Sequence, residues 1–167
     1  MSEIITKTEC HSMLTWIYEN EDRFKFNPAG PNRKYYVFGN CKCIPKLFFE
    51  VKDRIILRER IADWCEVPTL PDCISWISNG GFLHHHRDRV DMKGFKHIRY
   101  NLFLSIPING GDPIYNGKIM SFRERYYIKC NSGDEKHSCK PVIGEKPRIA
   151  VSYGFLTPDP IHTKLKR

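Results

Sequence analysis

Phe82-Leu83-His84-His85-His86-Arg87-Asp88 is the stretch on which the reading of this 167-residue chain turns. His86 and Asp88 are two apart, and on an extended strand side chains two apart leave the same face. A histidine and a carboxylate presented in this way can chelate one ion. A second histidine, His137, follows 51 residues after His86, and Arg148 comes 11 residues after that. Two histidines and one carboxylate on one face of iron(II) leave coordination positions open for other molecules. His84 has the parity of His86 but no carboxylate two residues beyond it, so His84 and His85 are expected to face solvent or to support the site. A plain surface histidine cluster is the competing reading of the triplet.

The segment Pro147-Arg148-Ile149-Ala150-Val151-Ser152-Tyr153-Gly154-Phe155 strengthens the first reading. On a strand, Arg148, Ala150, Ser152 and Gly154 share a face. The small residues leave room beside the arginine for a carboxylate-bearing ligand, which the planar guanidinium holds through two hydrogen bonds while Ser152 adds a hydroxyl. An arginine at the start of a strand facing solvent is the alternative. In Arg99–Ile106, alternation separates Arg99, Asn101, Phe103 and Ser105 from Tyr100, Leu102, Leu104 and Ile106. The second set is the more apolar and the better core face. Asn101 is therefore the expected ligand contact, with Tyr100 held in reserve as a phenol donor.

Working outward, the first third reads as helical. Cys10, Met13, Leu14, Ile17 and Tyr18 fall on one helix face. Asn27–Asn32 is a breaker cluster, and Tyr35–Phe38 is a short β-type run. Pro45 suits a helix start, after which an approximate helical period runs to about residue 66, where Pro68 and Pro71 stop it. From Cys73 the texture changes to short β-type runs: Cys73–Ile77, Phe82–Arg87, His97–Ile106, Tyr126–Cys130 and Arg148–Leu156. Gly- and Asn-rich turns divide them, including Asn79-Gly80-Gly81, Asn109-Gly110-Gly111 and Asn116-Gly117. The charged Arg123-Glu124-Arg125 reads as a surface loop or edge. The expected fold is α+β and mainly β, a double-sheet jelly roll buttressed by N-terminal helices. A single domain is expected over 1–167, with a helical support region (1–72), a β core (73–158) and a basic tail (159–167).

From about Cys73 to Leu156 the chain resembles the iron(II)/2-oxoglutarate-dependent oxygenases of the double-stranded β-helix fold, and most of all their compact prolyl-hydroxylase-like members. The resemblance rests on Leu83-x-x-His86-x-Asp88, Arg99–Ser105, Gly110-Gly111, His137-Ser138 and Pro147–Phe155, in that order. It implies a cupin-like core with iron held by His86, Asp88 and His137. It further implies 2-oxoglutarate bound with its distal carboxylate on Arg148, beside Ser152 and Asn101 or Tyr100. Dioxygen is then the oxidant, ascorbate a candidate accessory, and oxidative decarboxylation to succinate accompanies hydroxylation of a substrate. The chain departs from the pattern after His137, where Ser138-Cys139-Lys140-Pro141 is less apolar than in many relatives.

Composition bounds the remaining possibilities. Hydrophobic residues make up 41% and aromatics 13%, enough to order one domain without cross-links. There is no apolar run near eighteen residues, so no membrane-spanning helix is expected. No secretory signal is visible at the N-terminus, and seven cysteines without repeated spacing suit reduced thiols. A cytoplasmic or nuclear setting is the expectation. The formal charge of +8 is uneven: residues 1–83 carry 11 Lys+Arg and 11 Asp+Glu, residues 84–167 carry 16 and 8. That excess suits an acidic partner, whether nucleic acid, an acidic peptide or a small carboxylate. Three readings stay open: a hydroxylase of protein or peptide side chains, a nucleic-acid base oxygenase or demethylase, and a non-catalytic jelly-roll binding protein. Oligomeric state is not legible.

Overall fold

The computed structural model describes residues 3–39, 43–88 and 92–159. The elements are α1 (Lys7–Glu19), β1 (Lys25–Phe26), β2 (Arg33–Val37), α2 (Lys46–Glu59), β3 (Cys73–Ile77), β4 (Leu83–His86), β5 (Phe95–Ser105), β6 (Asn109–Gly110), β7 (Pro113–Tyr115), β8 (Lys118–Ile119), β9 (Tyr127–Cys130), β10 (His137–Cys139), β11 (Val142–Ile143) and β12 (Arg148–Pro158). A six-stranded antiparallel sheet runs β1-β2-β3-β12-β5-β9, and a four-stranded sheet, β4-β10-β7-β8, faces it. The short β11-β6 pair completes the strands. This is the expected double-stranded β-helix with helices against its larger sheet.

Both long strands are buried on two faces, and alternation sorts their side chains. Tyr100, Leu102 and Leu104 of β5 and Ile149, Val151, Tyr153 and Phe155 of β12 pack into one large core with Met13 and Ile17 of α1 and Phe48, Val51 and Ile55 of α2. The opposite parity faces the smaller sheet, where Phe103 and Ala150 meet Tyr115, Ile128 and Cys130. Tyr100 therefore points away from the cleft. Its hydroxyl lies 3.4 Å from a Glu59 carboxylate oxygen, and its ring packs edge-on against Tyr127 and Phe155. Its place in reserve as a ligand contact is corrected by strand parity.

α1 begins with a reciprocal cap: the Glu9 N–H donates to the Thr6 hydroxyl and the Thr6 N–H to the Glu9 carboxylate. The anticipated buried face is present at Cys10, Met13 and Ile17, although Tyr18 is half exposed and packs on Trp76. α2 ends at Arg60, which adopts a left-handed conformation with φ 52°, so the apolar period beyond it is not helical. Cys65 instead forms a β-bridge with Leu156. The region read as helical support also contributes β1 and β2 to the larger sheet. Arg123–Arg125 lies in the turn before β9, as a surface loop should. Among the described residues, Cys10, Cys65, Cys73, Cys130 and Cys139 are free thiols. Among the described residues no helix is long and apolar enough to cross a membrane.

Glycine matters most where the loop before β2 meets the turn before β4. A Cβ on Gly30 would sit 1.8 Å from the Phe82 carbonyl oxygen, so only glycine lets the two backbones touch. The His84 N–H donates to the Ala29 carbonyl next door. Together these contacts hold the Asn27–Ala29 loop against β4, the strand that carries His86.

Candidate metal centre and its cleft

β4 and β10 are antiparallel neighbours, and their register sets His86 directly opposite His137. Residues paired in this way bring side chains into contact, and the two imidazole centroids are 4.2 Å apart. Asp88 follows β4 and closes the group. One of its oxygens, Oδ1, lies 3.4 Å from His86 Nε2 and 3.6 Å from His137 Nε2. The three ligand atoms all fall within 4.8 Å of one another. An octahedral ion with donors at about 2.1 Å places neighbouring donors about 3 Å apart, so this set needs little adjustment to hold one.

The surroundings aim each donor. His86 Nδ1 lies 2.7 Å from the His84 carbonyl, and His137 Nδ1 lies 3.2 Å from that of Glu135. A carbonyl only accepts, which assigns a proton to Nδ1 in both rings and turns both Nε2 atoms toward Asp88, where a bound metal would replace any proton they carry. The other Asp88 oxygen accepts from Arg99 Nε at 3.0 Å. Arg99 also donates to the Ser152 hydroxyl at 3.1 Å and to the Leu70 carbonyl. Burial opposes ionisation of Asp88, but the His86 hydrogen bond and the charges of Arg99 and His137 outweigh it and hold the carboxyl far below its ordinary range. His86 is raised, chiefly by its hydrogen bond to Asp88, while burial lowers His137. Behind them, burial pushes His97 down to about 4, and its Nδ1 sits 3.2 Å from the Ser132 hydroxyl.

The group opens into a cleft of about 730 Å³ between the sheets, within the usual range for a small-molecule site. Arg148 and Ser152 enter it from β12 and Asn101 from β5, as their parity requires. Arg148 is buried, its guanidinium carbon stands 5.0 Å from the centroid of the Phe103 ring, and its Nε has no hydrogen-bond partner. A buried cation with an unsatisfied N–H is costly unless something pairs with it, and a ligand carboxylate is the natural complement. His84 and His85 are exposed, and His84 packs edge-on against Phe82.

The sequence reading missed several side chains that line this cleft. Tyr115 sits opposite His137 on β7, and its hydroxyl accepts from Asn101 Nδ2 at 3.0 Å. Its signal was the Asn116-Gly117 turn, where both residues have positive φ and so fix a tight hairpin. Arg99 was assigned the correct face but no role. Arg33 and Tyr35, the latter expected only as part of a β-type run, line the cleft from β2.

No family model and no curated protein sequence matches this chain. Solved structures do. The chain is similar to a viral collagen prolyl hydroxylase from Paramecium bursaria Chlorella virus-1 in complex with 2-oxoglutarate, with a TM-score of 0.67, 14% identity and coverage of 94% of each chain. It is similar to HygX from Streptomyces hygroscopicus with nickel and 2-oxoglutarate bound, with a TM-score of 0.68, 10% identity and coverage of 95% of this chain and 81% of that one. A prolyl hydroxylase from Trichoplax adhaerens, in complex with a hypoxia-inducible-factor peptide fragment, gives a TM-score of 0.67 at 11% identity, covering 100% and 86%. These likenesses show a shared fold across essentially the whole chain.

Proposed function

We propose that this chain is an iron(II)- and 2-oxoglutarate-dependent oxygenase that hydroxylates a side chain of a protein or peptide. The observation that carries the reading is one cleft holding both a two-histidine, one-carboxylate donor set and a buried arginine whose Nε lacks a partner. That donor set suits iron(II) with positions left open, and a diacid reaching from the ion towards Arg148 supplies the carboxylate the guanidinium lacks. When bound, iron(II) and dioxygen supply the oxidising chemistry, 2-oxoglutarate becoming succinate and carbon dioxide while a substrate C–H becomes C–OH.

The protein's own groups bind, orient and exclude water. His86 and His137 present Nε2 because the His84 and Glu135 carbonyls hold their Nδ1 atoms. Asp88 stays ionised and fixed because Arg99 grips the oxygen turned away from the histidines. Arg148 takes the distal carboxylate, with Ser152, Asn101 and Tyr115 in the walls between. Phe103 and Ala150 make the floor apolar there, which strengthens the charge pairing above it.

The names of two similar structures, a collagen prolyl hydroxylase and a prolyl hydroxylase with a peptide fragment, support a protein or peptide substrate. The charge excess of residues 84–167 favours a nucleic-acid base as the second reading. The deciding experiment incubates the chain with iron(II), 2-oxoglutarate and ascorbate, alone and with peptide or oligonucleotide pools. Succinate release coupled to a +16 mass gain on peptides is the expected result. Coupled product on oligonucleotides, with binding that weakens steeply as salt rises, selects the second reading. No 2-oxoglutarate binding in calorimetry with manganese(II) would remove both.

A further inference from the structure

Arg33 enters the cleft from β2, and nothing in the oxygenase reading uses it. Its Nε donates to the Ser75 hydroxyl at 3.3 Å, a neutral partner, and among the described residues it makes no ion pair. Burial depresses its pKa, while Asp88 favours the cation and Arg148 opposes it. A guanidinium keeps its proton in proteins. Arg33 is half-buried, so the chain keeps a partly desolvated positive charge in the cleft wall with no carboxylate in contact with it.

The cleft lining is short of negative charge. The lining holds four arginines, Arg33, Arg87, Arg99 and Arg148, against one carboxylate, Asp88. Asp88 is taken by Arg99. The distal carboxylate of 2-oxoglutarate answers Arg148, and its other carboxylate, together with Asp88, offsets a divalent ion, so the lining keeps a positive excess. Arg87 is exposed to water at the rim. Arg99 keeps its contact with Asp88, so Arg33 is the arginine inside the cleft with no carboxylate beside it.

Position decides which molecule it meets. The register Arg33↔Ile77↔Arg148 puts β3 between the two arginines, separating their backbones by two strand spacings, about 10 Å. Arg33 leans to Ser75 and shares its side of the cleft with Tyr35, Val37 and the Asn27–Ala29 loop that Gly30 fixes against β4. Asn101, Tyr115 and Ser152 wall the other side, where the cosubstrate is placed. The cleft is larger than a five-carbon diacid requires, and the space beside Arg33 is what remains for substrate.

Resting on the oxygenase reading, we propose that Arg33 binds a carboxylate of the substrate itself. The preferred substrates are then acids, either peptides with Asp or Glu at or beside the oxidised residue or small free carboxylic acids of the same chemistry.

The test uses the full chain loaded without oxygen with manganese(II) and 2-oxoglutarate, so that binding is read without turnover. A peptide library carrying Asp or Glu is compared with the same library carrying Asn or Gln, and free glutamate and aspartate form a separate arm. Acidic members should bind roughly 10- to 100-fold more tightly than their amide counterparts, as expected for a charge-assisted, two-point contact. Arg33→Gln should erase that preference, Arg33→Lys should retain part of it, and Arg33→Glu should turn it towards lysine-bearing peptides. Preference confined to the free acids identifies those as the source of the carboxylate and still supports the assignment. Equal binding of acid and amide libraries by the wild type, or an unchanged preference in Arg33→Gln, overturns the inference while 2-oxoglutarate binding keeps the oxygenase reading standing. Arg33-dependent binding of oligonucleotides in place of carboxylates overturns it as well. If 2-oxoglutarate does not bind the wild type, both fall together.

Discussion

Arg148 is buried and Asp88 half-buried in one cleft, yet they answer to different partners. Arg148 has an Nε without one, so its substitution should be felt mainly by ligand. In Arg148→Gln the dissociation constant for 2-oxoglutarate should rise roughly 10- to 100-fold while manganese(II) affinity changes little, as calorimetry can show; equal losses for both would remove the separation of roles. Asp88 is different because Arg99 leans on it at 3.0 Å. Asp88→Ala should abolish metal binding and also destabilise the fold by about 3 kcal/mol, since it strips a buried guanidinium of its counter-ion. Asp88→Asn keeps an acceptor for Arg99 and should lose the metal at a smaller cost in urea denaturation. His86, Asp88, His137 and Arg148 were legible in the sequence because each is a chemically specific residue at a spacing that means something. Tyr115 and Arg33 were not. Each is one polar residue in a short strand, and only the pairing of distant segments shows which way it points.

At the scale of the element, α1 shows how a local signal acquires a global partner. Its Thr6–Glu9 cap is joined by Arg54 from α2, which donates to Glu9 at 2.7 Å. Thr6→Ala should cost about 1 kcal/mol. The hydrogen bond from Arg54 and then that from the Thr6 backbone lower Glu9 from 4.5 to about 2. Because the folded value lies below the unfolded one, this contribution is present above about 4.5 and is lost as pH falls towards 2. Glu9→Gln should therefore flatten the acid limb of the stability profile within that window, measured by urea titration at a series of pH values; an unchanged limb would assign it elsewhere. The long elements were readable because period accumulates with length. β6, β8 and β11 have two residues each and β10 has three, too few for any period. The false extension of α2 past Arg60 arose because Trp64 and Cys65 are half-buried by tertiary contact with β12 rather than by helical phase.

For the molecule as a whole, function depends on how firmly the helices hold the larger sheet, since β12 carries core residues on one face and Arg148 and Ser152 on the other. Tyr153 donates from β12 to the Phe48 carbonyl of α2 at 2.8 Å. A second tie is ionic. Lys52 of α2 is buried, with Nζ 2.7 Å from both Asp72 and Glu66 and close to the Trp64 and Phe155 rings. Asp72 also accepts the Gly154 N–H at 2.8 Å, which joins that ion pair to the cleft-lining strand. Burial raises the Asp72 pKa in spite of Lys52. Lys52→Met preserves much of the stem's packing but leaves a buried carboxylate without its cation, and should destabilise by about 3–5 kcal/mol at neutral pH. An acid whose folded pKa lies above its unfolded value gains stability as pH falls through the folded value, and without Lys52 that value climbs further. The difference between wild type and variant should therefore shrink in mildly acidic buffer as Asp72 takes up a proton. Chemical denaturation of both proteins at neutral and acidic pH measures it, and a difference that stays constant across the two would mean that Asp72 is not the group that loses its partner.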